Sequence, residues 1–172
     1  MSLLGLAILA ATAAPDAAIA NPLAPGLAGQ LECSKPDEQK KTCRSLASYQ
    51  RVGTGYSNSA IVLISPNGPV TMEITAPVTM KGNAYCGVMR AEQLNAARIR
   101  VAGQLLGEEQ AASIHTAMLA AFAPMMGKEI CDTHQVTPTG LIEKATIDGV
   151  YEPKADVPIK WVAPGDGYSV AP

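Results

Sequence analysis

Short apolar runs separated by Gly-, Pro- and Asn-containing turns fill the middle and end of the chain, and one long stretch with helical spacing interrupts them. Residues 46–52, 60–64, 70–75, 78–80 and 84–88 read as β-strands, rich in Val, Ile, Thr, Met and Tyr. Between them lies turn chemistry. Gly53-Thr54-Gly55, Ser65-Pro66-Asn67-Gly68-Pro69, Ala76-Pro77 and Lys81-Gly82-Asn83 each supply a fixed φ or a residue that tolerates φ > 0. Short links of this kind join antiparallel neighbours, so the spacing predicts a meander.

Residues 91–97 predict one or two helical turns, and Arg98-Ile99-Arg100-Val101 predicts a further strand. A continuous helix over 92–106 is the alternative, disfavoured because Gly103 inside it would cost about 1 kcal/mol relative to Ala. Glu108 to Met126 predicts the main helix. Glu108 and Glu109 suit the positive end of its dipole, and Ile114, Met118, Ala121 and Met125 recur on one face, widened by Leu119, Phe122 and Met126. Pro124 and Gly127 mark its end. Residues 140–147 and 159–162 return to β character, the latter carrying Trp161, the single tryptophan, as a core anchor. The expected fold is α+β: an antiparallel sheet of about six or seven strands packed against one long helix, with a short helix besides.

The first residues depart from this pattern. Leu3 to Ala10 is apolar and uncharged, and Ala18-Ile19-Ala20 is a small-x-small site, which together predict a secretory signal peptide cleaved after Ala20. A membrane span needs about 20 consecutive apolar residues, and Pro15 and Asp16 end the run early. No membrane anchor is expected after cleavage. Residues 21–32, with Pro22, Pro25, Gly26 and Gly29, are expected as a flexible leader, and 33–172 as one α+β domain.

Charge and composition narrow the function classes. A formal charge of −2, from 13 basic and 15 acidic residues, lacks the basic excess that draws phosphate backbones, so no nucleic-acid partner is expected. With 4% aromatic residues the chain has few of the flat rings used to stack sugars or bases.

The cysteines, Cys33, Cys43, Cys86 and Cys131, are even in number, and behind a signal peptide they predict two disulfides in an oxidising compartment. Four cysteines allow three connectivities. Cys33 with Cys43 and Cys86 with Cys131 is favoured because the first pair flanks a short polar turn. Cys-x-x-Cys is absent, which removes thiol exchange chemistry. Cys131-Asp132-Thr133-His134 places a thiol and an imidazole three residues apart, but a structural zinc site needs four ligands. Neither a metal nor a cofactor is expected.

Catalytic patterns are equally sparse. Gly-x-Ser-x-Gly is missing, and Ser57 and Ser59 read as part of a Gly-rich turn. The Gly53–Ser59 segment fails the dinucleotide-loop pattern and Gly127-Lys128-Glu129 fails the phosphate-loop pattern. His115 is expected as a hydrogen-bonded residue at the border of the helix's apolar face, and His134 as a loop histidine. Met118, Met125 and Met126 read as core. The loop Lys35, Pro36, Asp37, Glu38, Lys40 and Lys41, bracketed by Cys33 and Cys43, is a candidate contact for an envelope protein partner, since a rigid loop loses little entropy on docking. The expectation is a periplasmic or secreted, non-enzymatic binding or interaction module. The alternative is a small envelope hydrolase using His115 or His134 with a nearby carboxylate.

Overall fold

A computed structural model describes residues 17–172 of the chain. The signal-peptide expectation falls largely on residues 1–16, outside the described residues. The architecture is a closed, eight-stranded antiparallel barrel in simple chain order. Its strands are β1 (Leu31–Ser34), β2 (Ser45–Val52), β3 (Gly55–Ser65), β4 (Val70–Lys81), β5 (Ala84–Val88), β6 (Glu129–Thr137), β7 (Gly140–Ile147) and β8 (Val157–Val162). Each pairs antiparallel with the next, and β8 returns to β1 through Trp161 opposite Glu32.

Local chemistry explains the hairpins. Val52 pairs with Gly55 and Lys81 with Ala84, leaving two-residue loops whose first residues, Gly53 (φ 57°) and Gly82 (φ 62°), adopt the left-handed backbone that glycine takes without penalty. A third tight loop joins Thr137 to Gly140.

The expected open sheet of six or seven strands packed on one helix is therefore overturned by closure. Two segments account for it. Residues 31–34, expected at the leader's end, form the first barrel strand, and residues 129–137, expected as a loop, form the sixth. With both in place every barrel strand has two neighbours, which removes the edges an open sheet exposes. The expected turn at Ala76-Pro77 also lies inside β4. Pro77 pairs with Ser57 on one side, at a stretch that faces no partner strand on the other, between the pairing of Val70–Glu73 with the strand Arg98–Val101 and that of Thr79–Lys81 with β5. Ser57 and Ser59 sit within β3 rather than in a turn.

The leader is ordered too. Leu23 is fully buried and a short helix α1 (Ala24–Leu27) packs on β1 and β2; before it, Ala17–Ala18, within the segment expected to be cleaved with the signal peptide, pairs with Val136 and Gln135 of β6. Gly26 is held so close to the rings of Tyr49 and Trp161 that a Cβ would come within 2.8 Å of Tyr49 Cδ2.

The connection from β5 to β6 carries α2 (Ala91–Asn95), the strand Arg98–Val101 and α3 (Glu108–Phe122), which tightens into a 3₁₀ turn over Ala123–Met125 where Pro124 stands. The helix buries Ala111 and Met118 and sets Ile114, Leu119 and Phe122 against Met72, Leu94 and Ile99. Ala121, expected on the packed stripe, is exposed, and Ala111 takes part instead. Met72 and Ile74 continue the inward face of β4, so α2 and α3 cover one end of the barrel.

Disulfides join Cys33 to Cys43 and Cys86 to Cys131. The second links directly opposed residues of β5 and β6, the seam that closes the barrel.

Candidate functional site: a polar cluster inside the barrel

In a β-strand alternate residues face opposite sides, so the register defines what fills the barrel. Glu32 pairs with Ala47 and Trp161, Tyr49 with Asn58, Tyr85 with Asp132, Asp132 with Ala145, and His134 with Glu143. The inward positions of this half of the barrel thus carry Glu32, Asp132, His134 and Glu143, together with the rings of Tyr49, Tyr85 and Trp161. The rings interlock: Tyr49 meets Tyr85 at 5.6 Å and Trp161 at 6.0 Å, and His134 lies edge-on to Tyr85 at 5.7 Å and to Trp161 at 5.9 Å between centroids.

The polar geometry is specific. Tyr85 OH donates to Glu143 Oε2 at 2.6 Å, and Tyr49 OH donates to Glu32 Oε1 at 3.3 Å. His134 Nε2 stands 3.2 Å from Glu32 Oε2 and 3.7 Å from Glu143 Oε2, yet the ring is aimed so that neither nitrogen completes a hydrogen bond. Glu32 Oε2 is likewise without a partner. His134 is fully buried, Glu32 nearly so, and Glu143 retains 18% of its side-chain exposure.

Electrostatics follow from that crowding. Burial alone would lower the His134 pKa, but the Glu143 and Glu32 carboxylates beside the ring overcome it and raise the value to about 9. Burial pushes Glu32 up to about 7, with the Glu143 charge adding to it and His134 opposing. Asp132 rises to about 8, through burial and then the charges of Glu143 and Glu32. For Glu143 burial pulls upward, but His134 and the Tyr85 hydroxyl outweigh it and hold the group below the ordinary carboxylate value. Near neutral pH the interior therefore holds an imidazolium–carboxylate pair beside carboxyls that keep much of their protons.

A recess of about 200 Å³ opens onto this cluster. Val78, Val88, Met89 and Ile130 make much of its wall apolar, and Asn58, Gln93 of α2, Tyr85 and Asp132 line the rest. A wider trough of about 570 Å³ crosses β2, β3 and β4, lined by Leu46, Ser48, Ile61 and Glu73. Its one carboxylate, Glu73, is already paired with Arg98 and Arg100.

The residues singled out from sequence fare unevenly. His115 is half-buried, its Nε2 2.9 Å from the Ala97 carbonyl oxygen, a contact that ties α3 to the end of α2. His134 is corrected from a loop residue to the buried centre of the cluster. Cys131 cannot share a zinc ion with it, because residues three apart on a strand face opposite sides and Cys131 is disulfide-bonded. The loop from Lys35 to Lys41 is mostly exposed and is braced by Asp37 pairing with Thr42, by Lys160 donating to Glu38 at 2.8 Å, and by Lys41 over the Tyr168 ring. Glu32 and Glu143 escaped sequence reasoning, and Asp132, named there only beside His134 in a loop, was not placed in a site. The available signal was a set of charged residues inside otherwise β-like runs.

Among known proteins, the chain matches no family model, no curated protein and no solved structure.

Proposed function

We propose that the protein is an exported, non-enzymatic binding module that holds a small ligand in the recess at the end of its barrel. The supporting observation is a largely apolar recess bordered by a few polar side chains, Asp132, Asn58 and Gln93 with Tyr85, the combination of apolar walls and few orienting polar groups that small-molecule sites share. An eight-stranded barrel is just wide enough to be filled by side chains or to hold one small guest, and here side chains fill one half and leave the recess in the other. Its volume equals about seven waters at ~30 Å³ each, which limits the guest to a compact molecule. With Asp132 largely protonated near neutral pH, the complementary guest is an apolar body carrying one carbonyl or hydroxyl. The N-terminal apolar run and two disulfides support export to the periplasm or beyond.

Binding is favoured over hydrolysis because His134 is fully buried and neither of its nitrogens hydrogen-bonds a nucleophilic side chain.

The test uses the oxidised chain labelled with ¹³C at methionine methyls and titrated with cyclohexanol and cyclohexanone. The Met89 signal, from the recess, should move in a saturable way while that of Met118, in the helix core, stays still. The variant Ala76→Phe, which fills the recess, should abolish the change. An unmoved Met89 signal at millimolar guest would overturn the proposal.

A further inference from the structure

Beside the recess, the cluster gathers three potential metal donors, of which Glu143 Oε2 already accepts from Tyr85 OH and the other two lack a completed hydrogen bond. Glu32 Oε2, His134 Nε2 and Glu143 Oε2 all lie within 4.8 Å of one another. Two of these atoms are buried without a hydrogen-bond partner, Glu32 Oε2 and His134 Nε2. The two stand 3.2 Å apart, an ion pair without a completed hydrogen bond, and a buried polar atom left so costs about 1–3 kcal/mol that a bound cation would relieve. We propose that Glu32, His134 and Glu143 bind one first-row divalent cation of the zinc class through these three atoms.

Spacing, support, charge and access each bear on this. In a tetrahedral site with bonds of ~2.0–2.1 Å, ligand atoms stand about 3.3 Å apart; the separations from His134 Nε2 here are 3.2 Å to Glu32 and 3.7 Å to Glu143. Small side-chain adjustments bring all three into range. The carboxylates are fixed by phenols, as metal-ligating carboxylates are fixed by outer partners: Tyr49 OH donates to the other oxygen of Glu32, and Tyr85 OH donates to Glu143 Oε2 itself, which keeps a second lone pair for an ion. Two carboxylates and a neutral imidazole balance a doubly charged ion, so the filled site carries no net charge. The mixed oxygen and nitrogen donor set suits zinc and its first-row neighbours rather than magnesium or calcium, which select oxygen alone. The exposed fraction of Glu143 gives the ion a way in. The donors differ from the atoms that orient a guest in the recess, so this site and the binding reading stand or fall separately.

The experiment takes the full, oxidised chain, free of any affinity tag, treated with chelator and dialysed. Its two histidines are labelled with ¹⁵N, and Zn²⁺ alone is added. One equivalent should move the His134 Nε2 resonance in slow or saturable exchange and leave His115 unchanged, while Mg²⁺ at the same concentration moves neither. Calorimetry on Glu32→Gln and Glu143→Gln, each checked for an unchanged circular dichroism spectrum, should show affinity weakened at least about tenfold, as loss of a ligand costs no less than loss of its support. If either variant fails to fold, the wild-type resonance alone decides. A zinc response confined to His115, no response at millimolar zinc, or full affinity in the folded variants would overturn the assignment.

Discussion

Raising the pH of the metal-free protein from 6 to 9 is expected to destabilise it steeply. Folding lifts Glu32 from 4.5 to about 7, Asp132 from 3.8 to about 8 and His134 from 6.5 to about 9, with burial acting against the histidine and its carboxylate neighbours prevailing. A group raised in the folded state contributes stability that is complete below its unfolded pKa and is lost as pH climbs through the folded one. For the carboxyls the loss spans the range from about 4 to 8, and for the imidazole from 6.5 to about 9. These windows overlap between about pH 6.5 and 8, where the folded chain retains roughly one to two protons that the unfolded chain has released. At about 1.4 kcal/mol per proton per pH unit, stability should fall by about 1–3 kcal/mol per unit there, a large part of the ~5–15 kcal/mol that a domain possesses. Glu143, lowered in the folded state, acts in the opposite sense and only on the acid side, where stability is lost as pH falls below its unfolded value of 4.5. The assay is urea unfolding of the disulfide-intact, chelator-treated chain at fixed ionic strength, followed by fluorescence of the single tryptophan, Trp161, which packs against His134. Asp132→Asn should make the decline shallower. A urea midpoint that is constant or rising from pH 6 to 9 would refute the reasoning, and an unchanged slope in Asp132→Asn would place the protons elsewhere.

Other expectations concern how the barrel is held. Leu23→Ala, at a fully buried position, should cost about 2–5 kcal/mol in urea unfolding, whereas a loosely attached leader would leave stability within about 0.5 kcal/mol. Gly26→Ala should cost about 1–3 kcal/mol and alter Trp161 emission, because the new methyl meets Tyr49 at 2.8 Å and Trp161 at 3.1 Å. An unaltered emission spectrum would mean that this end of the barrel is looser than described. Replacing Cys86 and Cys131 together by alanine should cost about 2–5 kcal/mol and speed amide exchange along β5 and β6 first, since that bridge crosses their seam; uniform acceleration across the barrel would contradict a local role.

The parts of the fold legible in the chain are those where one face of a strand meets an apolar neighbour. Val70 to Ile74 alternates against Met118 and Ile114 of α3, and both the strand and the helix are visible as periodic apolar positions. Turn chemistry was equally readable, since Gly53 and Gly82 carry the left-handed backbone that their hairpins require. Reading failed where the buried face is polar. On β6 the inward residues Ile130, Asp132, His134 and Val136 alternate with Cys131, Thr133 and Gln135, so neither face stands out as apolar. On β1 the contrast is inverted: Cys33 lies under the Cys43 and Val162 cluster outside the barrel, while Glu32 points within. Both strands flank the candidate site, and for that reason the closure of the sheet and the site itself were missed together.

That coincidence carries a physical consequence. Burying ionisable groups is costly even when they pair, and replacing such a cluster with well-packed apolar side chains is often neutral or stabilising by about 1–4 kcal/mol. The interior would therefore close more securely with leucine or phenylalanine at Glu32, Asp132, His134 and Glu143, and the tyrosine hydroxyls supply only part of the compensation, leaving His134 Nε2 and Glu32 Oε2 unpaired. Stability is drawn instead from elsewhere: two disulfides, one across the closing seam, the interlocked Tyr49, Tyr85 and Trp161 rings, and the packed segment around Leu23. A barrel braced from outside while its centre is kept polar gives up stability at that centre, and that trade is what the proposed binding role would account for.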